Sequence, residues 1–161
     1  MVTTGKIKAE YDQTPYDQTP YDMRPFSILV DVIGLGAGVF DRCRELGLPA
    51  RGVNVGEAAA TRDNCMRLRD ELWLKGREWF QDKACSIPQD DALIAELTAP
   101  TYTFSSTGKM VVESKADMKK RGLRSPDLAD ALLLTFAGGD RRMPERERSY
   151  RHETPQDNWA V

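Results

Sequence analysis

Residues 26–33, FSILVDVI, form an apolar run broken only by Asp31. That pattern predicts a strand buried on both faces. The GLGAG that follows supplies a tight turn, and Val39, Cys43 and Leu46 then recur at helical spacing on one stripe that stops at Gly47. ARGVNV, residues 50–55, predicts a second strand, so residues 26–55 read as a compact βαβ unit with a parallel pair and a right-handed crossover. Cys65, Leu68, Leu72 and Trp79 mark the core stripe of a long helix over residues 61–82, with Arg67, Arg69, Asp70 and Lys75 on its wet side. Pro88 breaks the chain before a short helix, DDALIAELTA. TYTF and KMVVE flank SSTG as a β-hairpin, with Gly108 at the positive-φ position. The last helix, SPDLADALLLTF, has Ser125 as N-cap and Pro126 at its first position, and runs through Phe136 to a Gly-Gly stop.

The ends of the chain carry no such periodicity. Residues 1–25 include a tandem YDQTP repeat and read as a flexible lead-in, residues 26–137 as the structured domain, and residues 138–161 as a charged, disordered tail. A length of 161 residues suits one domain, and 40% hydrophobic with 30% charged residues is ordinary for a soluble protein. No apolar stretch is long enough for a membrane span or a secretory leader, which points to the cytoplasm. The three cysteines, Cys43, Cys65 and Cys85, lack CxxC spacing and read as core thiols rather than a disulfide frame or zinc site. A net charge of −2 means that nucleic acid, if bound, meets a local basic patch. His152 has no assigned role, and Trp73 and Trp79 read as core or rim aromatics.

The candidate chemistry is acidic. In a nucleotide-binding reading, GLGAG would hold a pyrophosphate, but Gly34, Gly36 and Gly38 do not match the spacing of that fingerprint, and Asp31 would repel a phosphate. A turn needed only for tight strand-to-helix packing is the plainer alternative. The third is a metal site. Asp127 and Asp130, three apart on the first turn of the last helix, share one face; if that helix packs beside the strand bearing Asp31, three carboxylates converge. Mutually repelling carboxylates are jointly satisfied by Mg²⁺ or Mn²⁺, and such a cluster is what two-metal phosphodiester cleavage requires. Asp127 also suits a helix N-terminus whatever its function, by about 0.3–1 kcal/mol.

The series VDVIGLGAGVFDRCRELG, RGVNVGEAA, NCMRLRDELWLKGREWF, IPQDDALIAEL and TGKMVVESKADMKKRGLRSPDLADALLLTF resembles the carboxyl-terminal nuclease domain of the large terminase subunit of tailed bacteriophages, over residues 27–137. The resemblance implies an RNase H-like α/β fold related to RuvC resolvases, and a metal-dependent endonuclease that cuts concatemeric double-stranded DNA during packaging. It implies Asp31, Asp127 and Asp130 as catalytic and metal-binding acids with Mg²⁺ or Mn²⁺, and the terminase small subunit, the portal and the ATPase part of the large subunit as partners. It places Lys115, Lys119, Lys120, Arg121 and Arg124 on the DNA-facing segment, to which the local charge adds Lys109. The local charge agrees, since residues 107–124 carry those six cations against Glu113 and Asp117. The departure is at the amino terminus: the strand that carries the first acid of such nucleases has no counterpart here, and neither does a P-loop. The expectation is therefore a partial RNase H-like domain, a truncated prophage remnant or one piece of a split reading frame. Weak or absent cleavage and an uncovered sheet edge would follow. A non-catalytic DNA-binding or packaging-motor module is the alternative.

Overall fold

The computed structural model describes residues 2–14, 25–83 and 85–138. The predicted βαβ unit is present as β1 (Ile28–Asp31), α2 (Gly36–Glu45) and β2 (Ala50–Val53), preceded by α1 (Val2–Gln13). β1 and β2 pair in parallel, Ile28 with Ala50 through Asp31 with Val53. The sheet has only these two strands among the described residues, so β1 is half-buried along Ile28–Val30 and exposed at Asp31 instead of covered on both faces. A strand bonded along one edge only keeps part of its surface open.

α1 corrects the expectation of a lead-in without structure. Lys, Ala and Glu are good helix formers, Lys8 and Asp12 form a bridge of 2.7 Å one turn apart, and the helix ends before Pro15. α1 packs on α2 and buries Thr4. The second YDQTP copy, residues 16–20, lies outside the described residues, as do residues 139–161 of the expected tail.

The long helix is shorter than its apolar stripe predicts: α3 spans Leu68–Gln81, and residues 61–67 are irregular. Two buried acids, Glu71 and Asp70, explain the difference. Glu71 is fully buried, and its carboxylate accepts from Ala60 N (2.7 Å), Thr61 N (2.9 Å) and Thr61 Oγ1 (2.7 Å), with Lys75 at 2.6 Å. Asp70, expected on the wet side, is 2% exposed and accepts from Arg67 N (2.9 Å) and Val112 N (2.8 Å). These bonds satisfy backbone donors that an extra helical turn would otherwise have used, and they tie the loop and the hairpin to α3.

The remaining elements follow their local signals. α4 (Asp91–Thr98) starts at Asp90, whose side chain caps Ala92 N and Leu93 N. β3 (Tyr102–Phe104) and β4 (Met110–Val112) form the expected antiparallel hairpin, with Gly108 at φ +75°. α5 (Lys115–Lys120), capped by Ser114, is a helix where the sequence reading placed only a basic segment. α6 (Asp127–Leu134) continues as a 3-10 turn over Thr135–Gly138. Ser125 does not cap it; the Glu96 carboxylate of α4 does, accepting from Leu128 N (2.6 Å) and Ala129 N (3.1 Å). Val53, Leu72, Leu133 and Leu134 form one core cluster and Cys65, Met110 and Val112 another, with Trp73 packed against both. Cys43 and Cys65 are buried free thiols.

Candidate active site

β1 and α6 both end or begin at one cleft of about 520 Å³, whose walls include Asp31, Arg69, Trp73, Lys115, Asp127 and Asp130, with Thr3 and Ile7 of α1 at its side. Asp31 closes β1, and its Oδ1 accepts Ile33 N at 3.1 Å, which fixes the turn that follows. Gly36 begins α2 directly beneath it: a Cβ there would lie 1.7 Å from the Asp31 carbonyl oxygen, so only glycine lets the helix start this close. The glycine turn therefore holds the acid-bearing strand end against a helix. Its glycines do not form the nucleotide fingerprint.

Glu96 satisfies the first amides of α6, and the Asp127 and Asp130 side chains line the cleft. Lys115 Nζ stands 3.0 Å from Asp127 Oδ1 and 3.0 Å from Asp130 Oδ2. The sequence reading put Lys115 on a DNA-facing segment; the structure puts its ammonium between the two acids. Asp130 Oδ1 also accepts from Trp73 Nε1 (3.0 Å) and lies 3.4 Å from Arg69 Nε. The core that fixes Trp73 thus fixes Asp130 as well. Hydrogen bonds from Ser125 and then Lys115 hold the Asp127 carboxyl below the usual carboxylate range, against a smaller opposing effect of desolvation. For Lys115, desolvation pulls its pKa down, but the bonds and charges of Asp130 and Asp127 outweigh it and leave the ammonium more firmly protonated than usual.

Sequence reasoning missed Arg69, which it placed on the wet side of a helix. Its side chain is 17% exposed, Nη1 donates to the Glu113 carbonyl at 3.0 Å, and Nε and Nη2 are buried without a hydrogen-bond partner among the described residues. No sequence signal marks it, since its burial depends on β4 and α6 packing over α3.

The acids are also less buried than an Asp31 inside a doubly covered strand would imply. Asp31 is exposed and the Asp127 side chain is 75% exposed, because both stand at element ends facing the cleft; only Asp130, at 23%, is half-buried. Among the described residues no three His, Cys, Asp or Glu side chains gather closely enough to hold a metal ion. Asp127 and Asp130 converge on one cation position, and Asp31 lines the same cleft without joining them. This oxygen-only pair fits a hard divalent cation such as Mg²⁺ or Mn²⁺, with Asp31 as the neighbouring acid.

The six cations assigned to DNA divide into two groups. Lys115 faces the acids, Lys120 pairs with Asp117 at 2.6 Å, and Arg121 pairs with Glu113. Lys119 and Arg124 are exposed, Lys109 is half-buried, and none of the three forms an ion pair among the described residues. If Lys119 and Arg124 each contact a phosphate, their joint replacement by alanine lowers the salt slope of duplex binding by about 2 and weakens binding uniformly across sequences. Fluorescence anisotropy at several salt concentrations checks both.

No helix among the described residues is long and apolar enough to cross a membrane. No family model and no curated protein matches the sequence. Among solved structures the chain is similar to the nuclease domain of the large terminase subunit of bacterial virus Sf6. A lysine-to-alanine variant of that domain with manganese matches at 24% identity and a TM-score of 0.55, over 68% of this chain and 64% of that one. The same variant with calcium gives 23%, 0.54, 68% and 63%, and the domain without that substitution 24%, 0.51, 68% and 64%. The chain thus spans less than two thirds of the domains it matches. The fold is the RNase H-like α/β fold of these nuclease domains, as the sequence motifs led us to expect.

Proposed function

We propose that this chain carries the catalytic acids of a metal-dependent endonuclease that cuts double-stranded DNA by a two-metal mechanism, of the kind that phage packaging terminases apply to concatemeric DNA. The observation that carries the reading is the convergence of Asp127 and Asp130 on one cation position, in a cleft that Asp31 also lines. The likeness to nuclease domains solved with manganese and with calcium supports it.

Asp127 and Asp130 would hold one divalent ion, and Asp31 would complete the site with them. Bound divalent ions supply the Lewis acidity that activates water and stabilises the leaving oxygen of the phosphodiester. The chain supplies the rest. Trp73 and Arg69 orient the Asp130 carboxylate, and Ser125 orients that of Asp127. Arg69, whose Nε is ion-paired with Asp130 and whose Nη2 has no hydrogen-bond partner among the described residues, would supply a guanidinium charge to a phosphate in the cleft. Lys119 and Arg124 hold the duplex backbone. The small terminase subunit, the portal, and the ATPase part of the large subunit are the partners this reading implies, and the host cytoplasm is the compartment.

Incubation of the chain with supercoiled plasmid tests the reading. We expect nicked and linear DNA with Mn²⁺ or Mg²⁺, and none with a chelator present. Duplex binding without cleavage at any divalent ion concentration would instead support a DNA-binding module of a packaging motor.

A further inference from the structure

A second groove adjoins the acid cleft. It encloses about 770 Å³, and Asp31 and Arg69 are among the residues that line both. Its other walls include Arg67, from the irregular segment before α3, and Tyr102 and Thr103 of β3. Tyr102 also walls a smaller cavity of about 230 Å³, together with Arg77, Leu97 and Pro100. One tyrosine ring thus borders two concavities, and through the groove they continue the cleft along the hairpin.

The acids away from the cleft end are already engaged. Glu113 pairs with Arg121 and Asp117 with Lys120, and Asp70 accepts from the Arg67 and Val112 amides. Arg67 and Arg77 are exposed and form no ion pair among the described residues. The uncommitted charge along the hairpin is therefore positive. Beside it lies exposed aromatic surface: Tyr102 is 51% and Phe104 68% exposed, with their rings edge to face at 5.8 Å. The two stand two residues apart on β3 and so share one side of the hairpin.

Uncommitted guanidinium groups beside exposed rings match a strand of nucleotides whose bases are unpaired. Phosphates answer the cations, and a base lays its face on an aromatic ring. Bases inside a duplex stack on their neighbours and have no free face, so a duplex would meet the hairpin with its backbone alone. We propose that this groove holds an unpaired DNA strand leading from the cleft, with a base stacked on Tyr102 and backbone phosphates at Arg67 and Arg77. The preferred substrate is then duplex DNA that opens into a single strand beside the cut. This rests on the nuclease reading and names the form of DNA on which that site acts. Every base has a π-face, so the preference is for structure and not for sequence.

Fluorescence anisotropy, with Ca²⁺ and again with a chelator, compares a blunt duplex with a duplex of equal nucleotide count that carries an unpaired oligothymidine arm. We expect the wild-type chain to bind the armed duplex about tenfold more tightly, from the stacking of one base. Tyr102→Leu keeps an apolar contact for Phe104 but offers no ring, and should lose that preference. Tyr102→Phe should retain it. Arg67→Gln should lower the salt slope on the armed duplex by about 0.7 and leave that on the blunt duplex unchanged. Equal affinity of the wild-type chain for the two DNAs, or a preference that survives Tyr102→Leu, overturns the proposal and leaves the nuclease reading standing. So does a loss of the same size on both DNAs, which would place duplex against the hairpin. If the chain binds neither DNA under either condition, the nuclease reading fails and this site with it.

Discussion

Asp127→Asn and Asp130→Asn should each reduce Mn²⁺-dependent plasmid nicking by at least about 1,000-fold, a loss of about 4 kcal/mol of transition-state stabilisation. Asparagine keeps the shape and one acceptor oxygen but removes the charge that a divalent ion needs. The two substitutions should differ in their effect on folding. The Asp127 side chain is 75% exposed, so Asp127→Asn should melt like the wild type. Asp130 is half-buried, accepts from Trp73, and lies beside the Arg69 guanidinium, so Asp130→Asn should also lower stability, by about 1 kcal/mol. Activity lost at an unchanged melting temperature in Asp127→Asn separates chemistry from folding. Nicking at the wild-type rate by both variants would remove these acids from the mechanism.

The largest effect on folding is expected at Glu71. Burial alone would raise its pKa, yet the Lys75 ammonium, the Thr61 amide and hydroxyl and the charge of Lys75 together lower it from 4.5 to about 2. A fully buried carboxylate held that far below its unfolded value contributes about 3 kcal/mol at neutral pH. The sign follows from the depressed folded value: the contribution is present above about pH 4.5 and is lost as pH falls toward 2. Glu71→Gln should therefore lower unfolding free energy by about 3 kcal/mol at pH 7, because the amide group turns a donor toward Thr61, Ala60 or Lys75. The gap between the two proteins should close as the pH is lowered from 4.5 to 2. Urea unfolding across that range measures it, and a gap independent of pH would show that the carboxylate's charge is not what holds the loop.

The sequence shows clearly what neighbours along the chain decide. The β1–α2–β2 unit, the α4 start at Asp90, the hairpin around Gly108 and the shared face of Asp127 and Asp130 all rest on spacing, capping residues or glycine within a few positions. It hides what distant segments decide. Asp70 and Glu71 fall where a helix should meet water, and are buried because residues 60–67 and Val112 bring amide donors to them. Arg69 and Lys115 have the composition of a solvated surface, and only the packing of α3, β4 and α6 turns them toward the acids. The position of Asp31 is legible as a strand end before a glycine turn, whereas its separation from the other two acids is a matter of tertiary geometry. Glu96 capping a helix 32 residues away has no local signature at all.

Diffraction from crystals soaked in Mn²⁺ tests the central claim most directly. The account predicts an anomalous peak in the cleft within about 2.1 Å of Asp127 and Asp130 carboxylate oxygens, with the Lys115 ammonium displaced and the Asp31 side chain drawn toward the ion. A cleft without a peak, with Lys115 still bridging both aspartates at saturating Mn²⁺, would contradict it.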